Sequence, residues 1–129
     1  MSRLQVGFAR LDITPPLGVQ VEGYFFERRA KGVRDPLYVN AVAIRDGEKT
    51  AVVMSCDLIA LGSSCVKEWM PQIAAAAGVE EQAVFIACTH THLALPGTKL
   101  SDPHYEEILL PVIRKIVGLA QMAIEDMKP

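Results

Sequence analysis

Residues 37–57, LYVNAVAIRDGEKTAVVMSCD, decide the predicted fold of this chain. Two apolar, β-branched runs, Leu37 to Arg45 and Thr50 to Asp57, flank the tetrapeptide Asp46-Gly47-Glu48-Lys49. An Asp-Gly pair between two such runs is a strong short-range signal for a β-hairpin. The segment therefore predicts two neighbouring antiparallel strands.

A helix and a further buried strand are predicted after the hairpin. Ser63-Ser64 is expected to cap a helix that runs to about Ala77, and Gly78 is expected to stop it. Pro71 either kinks this helix or marks the first turn of a shorter one. The apolar run Ala83 to Thr89 follows this helical crossover, so we expect it to lie parallel to the second hairpin strand.

The segment before the hairpin predicts a strand and then a long loop. Leu4 to Ile13 alternates loosely, and Pro15-Pro16 ends it because consecutive prolines cannot continue a hydrogen-bonded ladder. Gly18 to Pro36 is rich in Gly, Arg and aromatic residues and has neither the helical nor the strand period. Loops of this length are commonly functional or disordered, and the consecutive aromatics of residues 24–26 argue against disorder.

A second long helix is predicted near the end of the chain. Ser101-Asp102-Pro103 is a helix-start signal, and a bend is expected at Pro111. One apolar face at helical spacing follows, made of Leu109, Val112, Ile113, Ile116, Ala120, Ala123 and Met127. The element order predicts a single domain over residues 1–129. Its class is α/β with an α+β tendency: a mixed sheet of about four strands with two main helices packed on it.

Composition limits the classes of function. The chain has 129 residues, of which 50% are hydrophobic and 22% charged, as is typical of one globular domain. Its net charge is −2 and only Arg28-Arg29-Ala30-Lys31 hints at a basic surface, so no nucleic-acid partner is expected. No apolar run approaches the roughly 20 residues of a membrane span, and no secretory signal is visible. We therefore expect no membrane span and a cytoplasmic location.

The three cysteines, Cys56, Cys65 and Cys88, contain no Cys-x-x-Cys pair. An odd number without such a pair argues against a disulfide framework and against a zinc site built on thiolates. We expect all three to be small buried hydrophobic residues.

The sharpest chemical feature is His90-Thr91-His92, directly after a predicted buried strand. On an extended backbone, residues i and i+2 point to the same side. Two imidazoles are therefore expected to reach one point at the carboxyl end of the strand, where α/β sheets commonly bind ligands. Neutral imidazole is a good zinc ligand. The spacing alone leaves open that both are ordinary surface or hydrogen-bonded histidines.

Two other polar residues belong to the same hypothesis. Asp57 ends the second hairpin strand, at the end that adjoins His90. It is predicted either to hold a metal-ligating imidazole in its tautomer or to cap the turn that follows it. His104 falls in the first turn of the last predicted helix, where the helix dipole disfavours a charged imidazolium, so a surface role is favoured.

Three ordered stretches resemble the N-terminal domain region of the neutral/alkaline non-lysosomal ceramidase-like family. They are VGFARLDITPPLG at residues 6–18, GY at 23–24 followed by RRAKGVRDPLY at 28–38, and ACTHTH at 87–92. The resemblance implies a zinc-dependent hydrolase of an N-acyl amide bond, in true ceramidases that of ceramide. It implies that His90 is a zinc ligand and that His92 is a catalytic residue beside the substrate. It also implies that Gly23 brings the backbone close to the site.

The chain departs from the family pattern in two ways. Where members continue with Ser-Gly-Pro-Gly, this chain has Leu93-Ala94-Leu95-Pro96-Gly97, which changes the substrate contacts of this loop. The further zinc ligands of the family, a His, a Glu and a Tyr, lie downstream of the region that resembles this chain. We therefore expect the N-terminal portion of a zinc-dependent amidohydrolase, incomplete and inactive as an isolated chain, from an enzyme that acts on a small-molecule or lipid amide.

Alternatives to this hypothesis remain at the level of sequence. The chain is otherwise a free-standing, non-catalytic binding or self-assembling module, or an oligomeric enzyme whose subunits complete one site together. Either a homo-oligomer or a missing downstream domain is expected. Tyr24 to Phe26 and Leu93 to Leu95 either form an apolar approach surface for a lipid or pack against the domain.

Overall fold

The hairpin forms the centre of the sheet. The computed structural model describes residues 4–95 and 105–129. Strands β2 (Tyr38–Asp46) and β3 (Lys49–Cys56) pair antiparallel, from Val39 opposite Cys56 to Asp46 opposite Lys49. Gly47 completes the reversal with a φ of 60°, in the left-handed region that glycine adopts without steric cost. The predicted hairpin is confirmed.

Two outer strands complete a sheet of order β1-β2-β3-β4. Strand β1 (Gln5–Asp12) pairs antiparallel with β2, and β4 (Val84–Cys88) pairs parallel with β3. A parallel pair requires a crossover, which helix α1 (Ser63–Ala77) provides. Helix α2 (Tyr105–Glu125) follows β4. The predicted α/β architecture, a mixed four-stranded sheet with two helices, is confirmed.

The two ends of α1 differ in how well the sequence predicts them. Gly62 is the N-cap and makes no side-chain cap hydrogen bond, so the prediction that Ser63-Ser64 caps the helix is wrong. These serines form the first helical turn instead. The predicted stop at Gly78 is confirmed: its φ is 67°, and its N–H donates to the Ala75 carbonyl at 3.2 Å. The predicted start of the second helix, residues 101–103, lies outside the described residues.

Both helices continue through a proline. Pro71 lies inside α1 and Pro111 inside α2, and both are exposed. Each proline removes one helical N–H, but on the exposed side the carbonyl that loses its donor can bond to water. Neither helix in the described part of the chain is long and apolar enough to cross a membrane.

The core lies between the sheet and the two helices. Trp69 and Ile73 of α1 and Ile116 and Leu119 of α2 are each at most 2% exposed. The strand residues that they meet alternate along β2 and β3, as the period of two requires. These strand residues are Val39, Ala41, Ala43, Val52, Met54 and Cys56. Both helices therefore cover one face of the sheet.

The opposite face of the sheet carries an apolar row. Phe8, Val42, Val53 and Phe85 stand side by side in register across the four strands. Phe8 and Phe85 are 63% and 62% exposed. The described part of the chain therefore leaves this row, called here the outer apolar row, accessible.

The cysteines behave as core residues. None of the three forms a disulfide; Cys56 and Cys65 are buried, as predicted, and Cys88 is half-buried. Desolvation raises the pKa of the Cys56 thiol to about 12, and burial also raises the pKa of Cys88. Because the thiolate is the reactive form, burial makes these two thiols poor nucleophiles in the folded chain.

Candidate functional site

The segment after β4 leaves the extended conformation at His90. The Thr89 N–H donates to the Cys56 carbonyl and the His90 N–H donates to the Leu58 carbonyl, each at 3.0 Å. Pairing with the segment after β3 thus continues beyond β4. His90 then takes a φ of 63°, the only positive φ of a non-glycine residue in the described ranges. Such a conformation is strained and is found preferentially at functional sites.

The imidazoles of His90 and His92 lie edge to face. Their ring centroids are 5.0 Å apart and their planes are inclined by 79°. The sequence predicted this proximity from an extended backbone, whereas the left-handed turn at His90 is what shapes the segment in the structure. The two rings therefore lie close together because of this turn and not because of an extended backbone.

Each imidazole is held by a backbone carbonyl through the same ring nitrogen. His90 Nδ1 lies 2.8 Å from the Ile59 oxygen, and His92 Nδ1 lies 3.0 Å from the Gly23 oxygen. Because a carbonyl oxygen only accepts, Nδ1 of each neutral ring must carry the proton and donate it. Nε2 of each ring then keeps a free lone pair. A carbonyl on one nitrogen and a metal on the other is the usual arrangement of a zinc-bound histidine.

Gly23 is the point where the loop backbone approaches His92. Its φ is 94°, and a Cβ built on it would lie 2.4 Å from His92 Nδ1 and 2.9 Å from Ile59 Cδ1. Both the backbone conformation and the lack of space therefore require glycine. The structure brings Gly23 and His92 into direct contact.

Asp57 lies beside the histidine segment without touching an imidazole. Its Oδ2 accepts from the Tyr38 N–H at 2.8 Å, and its Oδ1 accepts from the Thr89 hydroxyl at 3.0 Å. Asp57 thus ties the end of β3 to β2 and to the residue before His90. The contact with an imidazole nitrogen is made by backbone carbonyls instead. The role predicted for Asp57 at the site stays a prediction.

The sequence left open whether the aromatic loop (residues 22–26) and the segment after His92 form an apolar surface or pack against the domain. Some of these residues are exposed and others are buried. Tyr24 is half-buried and meets His92 edge-on, with ring centroids 6.0 Å apart. Ala94 and Leu95 are buried. The exposed members are Phe25, Phe26 and Leu93, at 109%, 69% and 58%. The exposed three leave an apolar surface beside the histidine pair.

Glu22 is a residue of this region that the sequence pattern did not single out. Its N–H donates to the Ala94 carbonyl at 3.2 Å, which joins the aromatic loop to the segment after His92. Its Oε2 is buried and has no hydrogen-bond partner within the described ranges. A buried acceptor of this kind favours a donor or a cation. The sequence feature that could have drawn attention to Glu22 is that it is the only charged residue between Val19 and Phe26.

The histidine pair fits part of a zinc site. A catalytic zinc usually has three protein ligands and one open position. Residues 4–95 and 105–129 contain no group of three or more His, Cys, Asp or Glu that could hold a metal. His104 lies outside these residues, and its surface role stays a prediction. The described part of the chain therefore offers two imidazoles, of His90 and His92, whose Nε2 atoms have a free lone pair, and not a complete ligand set.

These features define a class of protein: an α/β chain with an oriented histidine pair at the carboxyl end of its parallel strands. Two solved structures share its fold. One is a neutral ceramidase from Pseudomonas aeruginosa, with a TM-score of 0.81 and 22% identity. The other is described as a ceramidase complexed with C2, with a TM-score of 0.77 and 22% identity.

The whole chain is covered in both comparisons, but it spans only 22% of the length of either ceramidase structure. No family model and no curated protein matches the sequence. The predicted resemblance to ceramidases is therefore confirmed at the level of the fold.

Proposed function

We propose that this chain is part of a zinc-dependent amidohydrolase that cleaves an N-acyl amide bond. The observation that carries the proposal is the matched hydrogen bonding of His90 and His92, whose Nδ1 atoms both face backbone carbonyls. This arrangement leaves the Nε2 lone pairs of both rings free to bind a metal or a proton at the carboxyl end of the parallel strands. The ceramidase-like fold supports the choice of an amide as the bond that is cleaved.

His90 is the better candidate for a zinc ligand. Its backbone N–H and its ring are both bonded to the segment after β3, through the carbonyls of Leu58 and Ile59. A ligand held at two points loses little freedom when it binds a metal. Zinc, when bound, would lower the pKa of a water molecule and polarise the amide carbonyl.

His92 is the better candidate for the substrate side. It is bonded to Gly23 and meets Tyr24, so its surroundings belong to the exposed aromatic loop. With Nδ1 committed to a carbonyl, Nε2 is the atom at which His92 would take up or return a proton. Exposure of the ring leaves that atom accessible to a substrate.

The remaining zinc ligands are proposed to come from polypeptide other than the described residues. A chain that spans 22% of the ceramidase structures, with two candidate donors, supports this division. The chain alone is therefore expected to show little or no amide hydrolysis.

The experiment uses the full-length product of the gene that contains this sequence. Zinc per chain is measured by mass spectrometry, and release of the free amine from an N-acyl sphingosine and from an N-acyl amino acid is measured alongside. His90→Ala is expected to lose the zinc. His92→Ala is expected to keep zinc and lose at least about 100-fold in turnover. His104→Ala is the control, with both properties unchanged. Full zinc content and turnover in both His90→Ala and His92→Ala would refute the proposal.

The outer apolar row favours a second candidate function, a self-assembling module in which two copies pair through this face. Phe8 and Phe85 expose 63% and 62% of their surface within this contiguous row, and contiguous exposed apolar patches commonly mark interfaces. Sedimentation equilibrium tests it: Phe8→Ser/Phe85→Ser should be monomeric where the wild type dimerises. The control Leu110→Ser/Met122→Ser removes two exposed apolar residues of α2, at 47% and 44%, and should still dimerise. A wild type that is monomeric at every concentration excludes this candidate.

A further inference from the structure

A cavity of about 680 Å³ lies beside the histidine segment. Its walls come from the turn after β1, from the basic loop of residues 27–35, and from Thr91 and Leu93. Cavities of roughly 300 to 1,000 Å³ are typical of small-molecule sites. Thr91 lines the cavity, and its two chain neighbours form the histidine pair. The cavity and the candidate site are therefore adjacent.

The cavity wall has an excess of positive charge. Four cations line it, against the two carboxylates of Glu27 and Asp35. The cations are Arg28, Arg29, Lys31 and Arg34. This local surplus of two positive charges occurs on a chain whose net charge is −2. The concentration of cations at one cavity favours an anionic ligand.

The four cationic side chains differ in how strongly they already interact with other groups of the protein. Arg29 is bonded to Glu27 and donates to the Gly18 carbonyl, so it is occupied. Arg34 lies 3.9 Å from Asp35, too far for a hydrogen bond, and both side chains are almost fully exposed. Arg28 stacks 4.7 Å above the Tyr24 ring, which leaves the donors in its guanidinium plane accessible. With the exposed Lys31, Arg28 and Arg34 form a set that can meet an acidic group.

The same cavity has an apolar wall. Leu17, Val33 and Leu93 line it, and they are 58%, 54% and 58% exposed. Exposed aliphatic groups that share a cavity gain from contact with a hydrocarbon chain. The lining therefore suits one molecule that carries both an acidic group and an apolar chain.

We propose that this cavity binds an anionic amphiphile, and that the amide substrate is of the N-acyl amino acid class. The second half of this proposal rests on the proposed amidohydrolase function. Thr91 lines the cavity, and Arg28 stacks on the Tyr24 ring that meets His92. An acidic group bound at Arg28 would therefore lie near the histidine pair, where the amide is cleaved. Hydrolysis would break the amide C–N bond: the acyl carbon gains the hydroxyl of water, and the nitrogen gains its proton. The products are a fatty acid and an amino acid.

The test measures binding to the metal-free chain. N-lauroylglycine and its neutral analogue N-lauroylethanolamine are titrated into the protein by calorimetry, below the concentration at which either forms micelles. N-lauroylglycine is expected to bind at least about tenfold more tightly, and added salt should reduce this preference. Arg28→Gln/Lys31→Gln/Arg34→Gln should abolish the preference. Leu93→Asp should weaken binding of N-lauroylglycine.

The matched control is Lys49→Gln/Lys67→Gln/Arg114→Gln, which removes three exposed charges outside the cavity and should keep the preference. Equal affinity for the two ligands, or a preference that survives in the cavity variant, would overturn the proposal. So would binding to phosphatidylglycerol vesicles without binding to free N-lauroylglycine. Because zinc is absent, a failure of zinc binding would leave this result unchanged, and the two proposals can fail separately.

Discussion

The Gly23 carbonyl accepts a hydrogen bond from Nδ1 of His92 at 3.0 Å, across 69 positions of the chain. The left-handed φ of 94° at Gly23 places that carbonyl and leaves no room for a side chain against the ring. One residue of the aromatic loop thus sets both the tautomer and the orientation of an imidazole at the sheet edge. The loop and the histidine segment behave as one structural unit.

Gly23→Ala is expected to displace the His92 ring. Its Cβ would lie 2.4 Å from Nδ1, and the positive φ would be strained. We expect a loss of about 1–3 kcal/mol in the free energy of unfolding. In the full-length enzyme, turnover should fall at least about 100-fold. Chemical denaturation and amine release measure the two effects.

Gly18→Ala is the control for this variant. Gly18 has a φ of 86°, but nothing lies within 4 Å of its Cβ position. It should lose stability through the same backbone strain and retain turnover. Equal loss of turnover in both variants would show that contact with His92 is not the cause.

Gly7→Ala is expected to separate α2 from β1. Its Cβ would lie 2.0 Å from the Ala123 carbonyl oxygen and 2.7 Å from the Met127 nitrogen, and neither backbone atom can move alone. We expect destabilisation of about 1–3 kcal/mol or more, measured by urea denaturation. Gly118→Ala in α2 is the opposite case, since its Cβ meets nothing within 4 Å. It should stabilise by about 0.5–1 kcal/mol. A neutral Gly7→Ala would contradict the described packing.

Cys56 predicts a loss of stability in alkaline solution. Desolvation raises the pKa of its thiol from 9.0 to about 12. The folded chain therefore retains a proton that the unfolded chain loses above its own pKa. The contribution of this thiol to the free energy of unfolding is fully present below pH 9.0 and falls as the pH rises toward about 12. Unfolding free energies at a series of pH values measure it, and Cys56→Ala should flatten the slope. Rapid reaction of native Cys56 with Ellman's reagent at neutral pH would show that the thiol is not buried as described.

Asp126 predicts a loss of stability in acid. Its Oδ2 accepts from the Phe8 N–H at 3.0 Å, and Lys128 lies beside it. The backbone hydrogen bond, with help from Lys128, lowers the pKa of this carboxyl below 3.8. The stabilising contribution is therefore present above pH 3.8 and disappears as the pH falls through the depressed value. Thermal unfolding should become less acid-dependent in Asp126→Asn. The control Asp35→Asn, at a carboxylate with 86% exposure, should resemble the wild type.

The fold was predictable where the signal was local. The Asp46-Gly47 pair and Gly78 each determine a backbone reversal or a helix end through their own conformational freedom, and both predictions were confirmed. The N-cap of α1 was not predictable in the same way. Gly62, Ser63 and Ser64 are all acceptable caps, and the extended backbone of Gly62, which selects it, depends on the chain before the helix.

The site was predictable only as a pair of histidines. Nothing in the sequence marks the carbonyls of Ile59 and Gly23 as acceptors, because every residue has a carbonyl and these lie 31 and 69 positions from their imidazoles. The left-handed φ of His90 was equally hidden, since only a few per cent of non-glycine residues adopt one and no local sequence signal marks it here. The sequence therefore indicated the chemistry, while long-range contacts determine the tautomers on which that chemistry depends.

The most direct test is a long-range ¹H–¹⁵N NMR spectrum of the imidazoles of the labelled chain, recorded at about pH 8, where imidazole is neutral. The structure predicts that His90 and His92 both carry their proton on Nδ1 and keep a free lone pair on Nε2. A proton on Nε2 in either ring would contradict the proposed site.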